Sequence, residues 1–289
     1  MAKKPHTDEI SGVETTGHEW DGLRELNNPL PKWWLYTFYA CIAFAMGMFV
    51  LYPSIPGLHH YWHGILGYSA RDNAMKGVEE MHARHADAMA KIASLPIDQV
   101  AADPTLMATA QVAGRSAFAN NCQPCHGPNG TGRIGYPALG DDVWLWGGKL
   151  TDIQTTITHG VRSDDPDTRQ SVMPNFGDDK ILKPDQIEAV ADYVGVWWGY
   201  TPAGTDVSAG QKVFADNCAT CHGDKGQGLR QFGAPPLASK IHLYAGTRAA
   251  VVAQETHAHM GVMPNWGARL DEATIKSLAL YVHTLGGGE

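Results

Sequence analysis

Two short segments of this 289-residue chain carry its most specific chemistry: Cys122-Gln-Pro-Cys125-His126 and Cys218-Ala-Thr-Cys221-His222. Both read C-x-x-C-H, the spacing at which a polypeptide attaches haem covalently. Cysteines three apart lie on one side of a helical turn, so each thiol can add to one of the two vinyl groups of the porphyrin. The adjacent histidine, His126 or His222, is then carried under the iron as its proximal ligand. A lone C-x-x-C would also suit a thiol redox pair or half of a zinc site. Zinc ribbons set their two pairs about 15–20 residues apart, whereas these pairs lie nearly 100 residues apart and each has its own histidine. No βαβ pattern surrounds them, as a thioredoxin-like pair would require. The motifs therefore predict two covalently bound haem c groups.

A sixth ligand for each iron is inferred from the repeated V-M-P-N-[F/W]-G segments. Met173-Pro174 and Met263-Pro264 stand at matching places after the two attachment motifs and just before the last helix of each copy. Thioether ligation raises the potential of haem iron, which suits an electron carrier, and the proline after each methionine fixes the loop that presents it. His159 and His257 also align between copies and are the competing ligands. A bis-histidine site would have a lower potential.

The elements that position these groups come twice. Gly114-x-x-x-Phe118 precedes the first attachment motif and Gly210-x-x-x-Phe214 the second. GYPALGDDVWLWGG (135–148) matches GAPPLASKIHLYAG (233–246), and a final helical stretch, EAVADYVGVWW (188–198), matches KSLALYVHTLG (276–286). Such in-order correspondence means a duplicated unit. Gly114 and Phe118 are expected to cross the terminal helix of the same copy at Tyr193, and Gly210 and Phe214 to cross at Tyr281. Trp144 and Trp146 are expected to wall the first haem. His242 and Tyr244 take their places in the second copy, so the two pockets should differ. The boundary falls near 199–204, where Pro202 and Gly204 break the helix.

Upstream, Trp33 to Tyr52 reads WWLYTFYACIAFAMGMFVLY with no charge and no proline. About 20 residues rising about 1.5 Å each match a hydrocarbon core of roughly 30 Å, and aromatic rings at both ends suit the interfaces. Arg24 and Lys32 precede the span and the next basic residue is Arg71, so the positive-inside rule predicts a cytoplasmic N-terminus and an exported remainder. Cys41 within the span is expected to do no chemistry. Residues 53–69 read as an irregular exit from the membrane, 70–94 as a polar helix, and Pro96 and Pro104 as brackets around a connection.

The expected organisation is mostly α. It comprises a cytoplasmic segment at 1–32, a transmembrane helix at 33–52, a periplasmic linker with a polar helix at 53–107, and haem domains at 108–200 and 204–286. The formal charge of −8 disfavours a nucleic-acid binder, which would carry a basic face. Acidic residues outnumber basic ones eleven to seven between 108 and 200, so the first copy is the expected docking face for a basic donor. No general base, nucleophile or substrate pocket emerges, and two intact Met-Pro loops argue against a dihaem peroxidase.

With these motifs, each copy resembles a class I cytochrome c domain. The whole chain resembles the dihaem CcoP/FixP subunit of cbb3-type cytochrome c oxidases, most tellingly in ELNNPLPKWWLYTFYACIAFAMGMFVLYPSIPG (25–57) and GYPALGDDVWLWGG. The resemblance implies a single-pass protein of the bacterial inner membrane, with its haem domains in the periplasm. It implies an electron-transfer subunit that is not an enzyme by itself, accepting electrons from a donor cytochrome c or a quinol–cytochrome c oxidoreductase. They would pass to a monohaem cytochrome c subunit and then to the haem–copper catalytic subunit. It also implies that Cys122, Cys125, His126 and Met173 hold one haem and Cys218, Cys221, His222 and Met263 the other, although a methionine crossing to the neighbouring iron stays open. A free-standing or dehydrogenase-linked dihaem cytochrome is the alternative.

Overall fold

The computed structural model describes residues 6–244 and 246–289; residues 1–5 of the N-terminal segment, and Ala245 within the second copy's matching stretch, lie outside the described residues. The chain forms two compact units, one ending at His82 and one running from Ala83 to Glu289.

The first unit opens with a hairpin that the sequence reading missed. Strands β1 (Thr15–Trp20) and β2 (Leu23–Leu26) pair antiparallel, with Trp20 opposite Leu23 and Glu19 opposite Arg24. The turn is Asp21-Gly22, both at positive φ (47° and 87°), the two-residue geometry whose twist matches the strands it joins. Helix α1 (Lys32–Leu51) follows. None of it is buried by protein, and among the described residues it is the one helix long and apolar enough to cross a membrane. An irregular stretch leads to α2 (Ala70–Ser94), of which only the part from Ala83 onward belongs to the second unit.

Among the described residues, the regular elements of the second unit are helices, joined by long irregular stretches. Helix α3 (Ile97–Ala102) occupies the stretch expected to be a connection. Its Ile97 and Val100 are buried in the same core as Ile92 of α2, so apolar burial makes it part of the fold. Helix α4 (Pro104–Asn121) starts with Pro104 in its first turn and Asp103 as cap, the carboxylate accepting from the Thr105 and Leu106 amides at 2.8 and 3.1 Å, as helix starts favour. The attachment turn α5 (Gln123–His126), α6 (Leu150–His159) and α7 (Pro184–Trp198) complete the first copy. The second copy supplies α8 (Ser208–Asn217), the turn α9 (Ala219–His222), α10 (Arg248–Thr256) and α11 (Glu272–His283).

The helix pairing corrects the expectation of two self-contained copies. Helix α4 packs on α11 and α7 packs on α8. Phe118 meets Tyr281 with ring centroids 5.4 Å apart, and Phe214 meets Tyr193 at 5.4 Å. A Cβ on Gly114 would collide with the Ser277 carbonyl, and one on Gly210 with that of Ala189, so each glycine permits the close crossing foreseen, but with the other copy's terminal helix. The physical reason lies in connectivity. Residues 199–207 form a short link between α7 and α8, so that pair closes at little entropic cost. Closure cost grows only logarithmically with loop length, so the remaining α4–α11 pair is not heavily penalised by its long separation. Both copies carry the same crossing motif, and either pairing satisfies it.

Candidate haem sites

Two apolar cavities occupy the second unit. Cys122, Cys125 and His126 line one, together with Ile153 and Ile157 of α6 and Trp144. Cys218, Cys221 and His222 line the other, with Val251 and Glu255 of α10. The methionines are exchanged. Met263 and Pro264 line the cavity of Cys122, whereas Met173 and Pro174 line that of Cys218. Met263 thus stands with His126 and Met173 with His222, the crossing that the sequence leaves open.

Backbone hydrogen bonds hold both exchanged loops. The Trp266 and Gly267 amides donate to the carbonyls of Ile157 and Thr158 at the end of α6, at 3.1 and 3.0 Å. The Gly177 and Asp178 amides likewise donate to Glu255 and Thr256 at the end of α10, at 3.3 and 3.1 Å. Val161 and Met263 exchange both backbone hydrogen bonds, at 3.0 and 2.9 Å. Each M-P-N-[F/W]-G loop therefore docks on the other copy, and each lobe combines the front of one copy with the back of the other.

The histidines are held alike. Nδ1 of His126 donates to the Pro137 carbonyl at 3.0 Å and Nδ1 of His222 to the Pro235 carbonyl at 2.9 Å. A carbonyl can only accept, so this fixes the tautomer and leaves Nε2 with its lone pair, as metal-ligating histidines require. Burial lowers the pKa of both imidazoles, against the smaller opposing effect of the proline carbonyls, and keeps them neutral. Burial also raises the thiols of Cys122 to about 11 and of Cys218 to about 12. Pro137 and Pro235 were not singled out by motif reasoning; their aligned positions in GYPAL and GAPPL were the available signal. His159 and His257 line neither cavity. They pair with carboxylates, Asp165 at 3.1 Å and Asp178 at 2.7 Å.

Trp144 does wall the first cavity, its indole donating to the Gly287 carbonyl at 2.5 Å. His242 stands in the second cavity against Trp198, ring centroids 4.0 Å apart. Trp146, expected at the first haem alone, reaches both cavities, whereas Trp144 lines only the first and His242 and Tyr244 only the second, so the pockets differ as expected. Glu255 was not foreseen. It is 7% exposed, Oε2 has no hydrogen-bond partner, and burial, reinforced by Glu188, raises its pKa to about 8. The exchange also redistributes charge. Asp178 pairs with His257, and Glu188 and Asp192 pair with Arg248 of α10, so acidic residues of the first copy contribute to the lobe of Cys218.

A paired-thiol turn, a neutral histidine with one free nitrogen, an apolar cleft and a facing methionine together fit covalently attached haem, twice. Comparison with known proteins agrees along the chain. Residues 12–59 match the family described as the N-terminal domain of cytochrome oxidase-cbb3, FixP; residues 111–197 match cytochrome c; residues 205–282 match cytochrome c oxidase, cbb3-type, subunit III. The cbb3-type cytochrome c oxidase subunit CcoP of Azospirillum sp. (strain B510) is 51% identical over 292 residues, covering 98% of this chain and 99% of that protein. The chain belongs to the CcoP/FixP family. The CcoP of Azospirillum brasilense, 49% identical over 299 residues and the full length of both chains, is similar to it throughout. So is the FixP of Sinorhizobium medicae (strain WSM419), 50% identical over 293 residues and 99% of each. The resemblance noted from the sequence therefore extends over the whole chain, and membership in the CcoP/FixP family sets aside the free-standing and dehydrogenase-linked readings.

Proposed function

We propose that this CcoP/FixP chain relays electrons between two haem c groups held by crossed ligand sets. Cys122 and Cys125 would carry the thioethers of one haem, and His126 and Met263 would be the ligands available to its iron. Cys218 and Cys221 would hold the other, with His222 and Met173 available to its iron. The observation that carries this reading is the sharing of each cavity by one copy's C-x-x-C-H and the other copy's Met-Pro.

When bound, haem supplies one-electron chemistry by cycling its iron between ferric and ferrous states. The chain's part is to keep that change small and reversible. His126 and His222 are oriented by Pro137 and Pro235, so neither ring has to turn. The thioether ligands hold the potential high. Apolar walls such as Ile153, Ile157 and Val251 keep solvent reorganisation low. Because Leu145, Trp146, Arg162 and Leu243 line both cavities, the two centres share one wall, and electron exchange between them needs no docking step.

The chain serves as an electron-transfer subunit of a cbb3-type oxidase and does not itself reduce oxygen. Its partners are a monohaem cytochrome c subunit and the haem–copper catalytic subunit, and its donor is a cytochrome c or a quinol–cytochrome c oxidoreductase. Helix α1 anchors it once in the bacterial inner membrane. Arg24 and Lys32 before the span favour a cytoplasmic N-terminus and periplasmic haems. The negative net charge supports steering of a basic donor. Reduction by such a donor should slow steeply as ionic strength rises; a rate flat in salt would remove electrostatic docking.

Gentle detergent purification through a tag on this chain, with haem typing and oxygen uptake, tests the assignment. Two c-type haems per chain, with co-purifying b-type haem, copper and donor-dependent oxygen reduction, are expected. A stable preparation holding c-type haem alone and inert to oxygen would contradict it.

A further inference from the structure

The wall between the two cavities contains one charged side chain. Of the residues that line both, Leu145, Trp146 and Leu243 are apolar or aromatic and Arg162 is a cation. Its Nε donates to the Gly261 carbonyl at 2.8 Å and Nη1 to the Ser171 carbonyl at 3.2 Å. Ser171 and Gly261 lie just before Met173 and Met263, so this one guanidinium ties both exchanged segments at the point where they cross. The backbone of Arg162 is itself left-handed, with φ 52°, a conformation that ordinary residues keep only when their surroundings impose it.

Two of its five N–H groups are used in this way. Among the described residues no carboxylate forms a salt bridge with it. Burial lowers its pKa, opposed by the weaker influence of Tyr244. A half-buried cation facing two apolar cavities without a protein anion is suited to an incoming carboxylate, and haem brings carboxylates at its own edge.

Resting on the crossed-haem reading above, we propose that Arg162 binds haem propionate in the shared wall, so that one cation positions the haem edge and raises the potential of the centre it touches. The remaining N–H groups form the planar fork that suits a carboxylate. The propionate belongs to the haem of Cys122, to that of Cys218, or to one from each, and the two potentials distinguish these sources.

The test is a redox titration of the full-length, haem-loaded protein in detergent, followed optically, for wild type, Arg162→Lys and Arg162→Gln. Loss of the cation favours ferric haem. Arg162→Gln should change the oxidised-to-reduced ratio about tenfold at fixed ambient potential, a fall of about 59 mV for one electron. A fall in one potential assigns the propionate to that haem, and a fall in both assigns it to both. Arg162→Lys, which keeps the charge, should restore most of the difference. Unchanged potentials in Arg162→Gln, or equal shifts in the Lys and Gln variants, would overturn the proposal. If Arg162→Gln does not load both haems, resonance Raman spectra of wild type decide instead: propionate bending bands should respond to deuterium exchange of the guanidinium, and bands indifferent to exchange would overturn it. Haem stoichiometry and the methionine–iron absorption band, read on the same wild-type samples, report separately on the crossed-haem reading.

Discussion

At the residue scale the chemistry was legible where it is written in side chains. C-x-x-C-H states its purpose, and the repeated Met-Pro supplied candidate ligands. Pro137 and Pro235 escaped notice because they act through backbone carbonyls, which carry no residue signature. Glu255 escaped because its meaning depends on burial. Its carboxyl lies in the cavity of Cys218 and is faced by Glu188 of α7, with Tyr200 and Cys218 also near enough to feel its charge. With a pKa of about 8 it is protonated at neutral pH and becomes an anion above that value. An anion beside haem favours ferric iron, so the potential of the Cys218 haem should fall as pH rises through about 8. Stability follows the same sign. Between the usual carboxylate range and about 8 the unfolded chain has lost this proton and the native chain retains it, so this group's contribution to stability falls as pH rises across that window and is constant above it. Redox titrations and denaturant melts at several pH values check both effects, and Glu255→Gln should flatten both.

At the element scale the helices, the polar α2 and the anchor were readable from pattern and length. The β1–β2 hairpin was not, although Asp21-Gly22 is a strong turn signal once strands are sought on either side. The crossing of copies could not be read at all, because G-x-x-x-F and the terminal aromatic occur in both and give no preference for a partner. A double-mutant cycle separates the pairings. Gly114→Ala forces a Cβ into the Ser277 carbonyl and should destabilise by about 1–3 kcal/mol. Its effect should couple to Tyr281→Ala by about 0.5–3 kcal/mol and add independently to Tyr193→Ala. Coupling to Tyr193 would restore the uncrossed arrangement. Gly210→Ala should behave in the mirror sense, coupling to Tyr193 alone.

At the scale of the whole molecule, duplication suggested two domains that could each stand by itself, and the structure makes each lobe depend on both copies. The core around Phe118 and Ile153 includes Leu278 and Leu280 of α11, and the core around Phe214 includes Ile187 and Val190 of α7. Lys276 of α11, 5% exposed, donates to the Ala93 and Leu95 carbonyls at 2.6 and 2.8 Å, which binds the last helix to the end of α2. A fragment of residues 83–203 loses α11 and Met263 together. It should bring haem to Cys122 and Cys125 without methionine ligation and lack a cooperative unfolding transition. A fragment that unfolds cooperatively and shows methionine-ligated haem would mean that the copies are independent.

The crossed ligand sets are the centre of the account, and ferric-state electron paramagnetic resonance reads them most directly. In a chain with Cys122→Ser and Cys125→Ser, only the haem of Cys218 and Cys221 is attached, and Met173→His or Met263→His is then introduced singly. The crossed arrangement predicts that Met173→His converts that haem to a bis-histidine signature and that Met263→His leaves it unchanged. A bis-histidine signal appearing with Met263→His, and none with Met173→His, would contradict it.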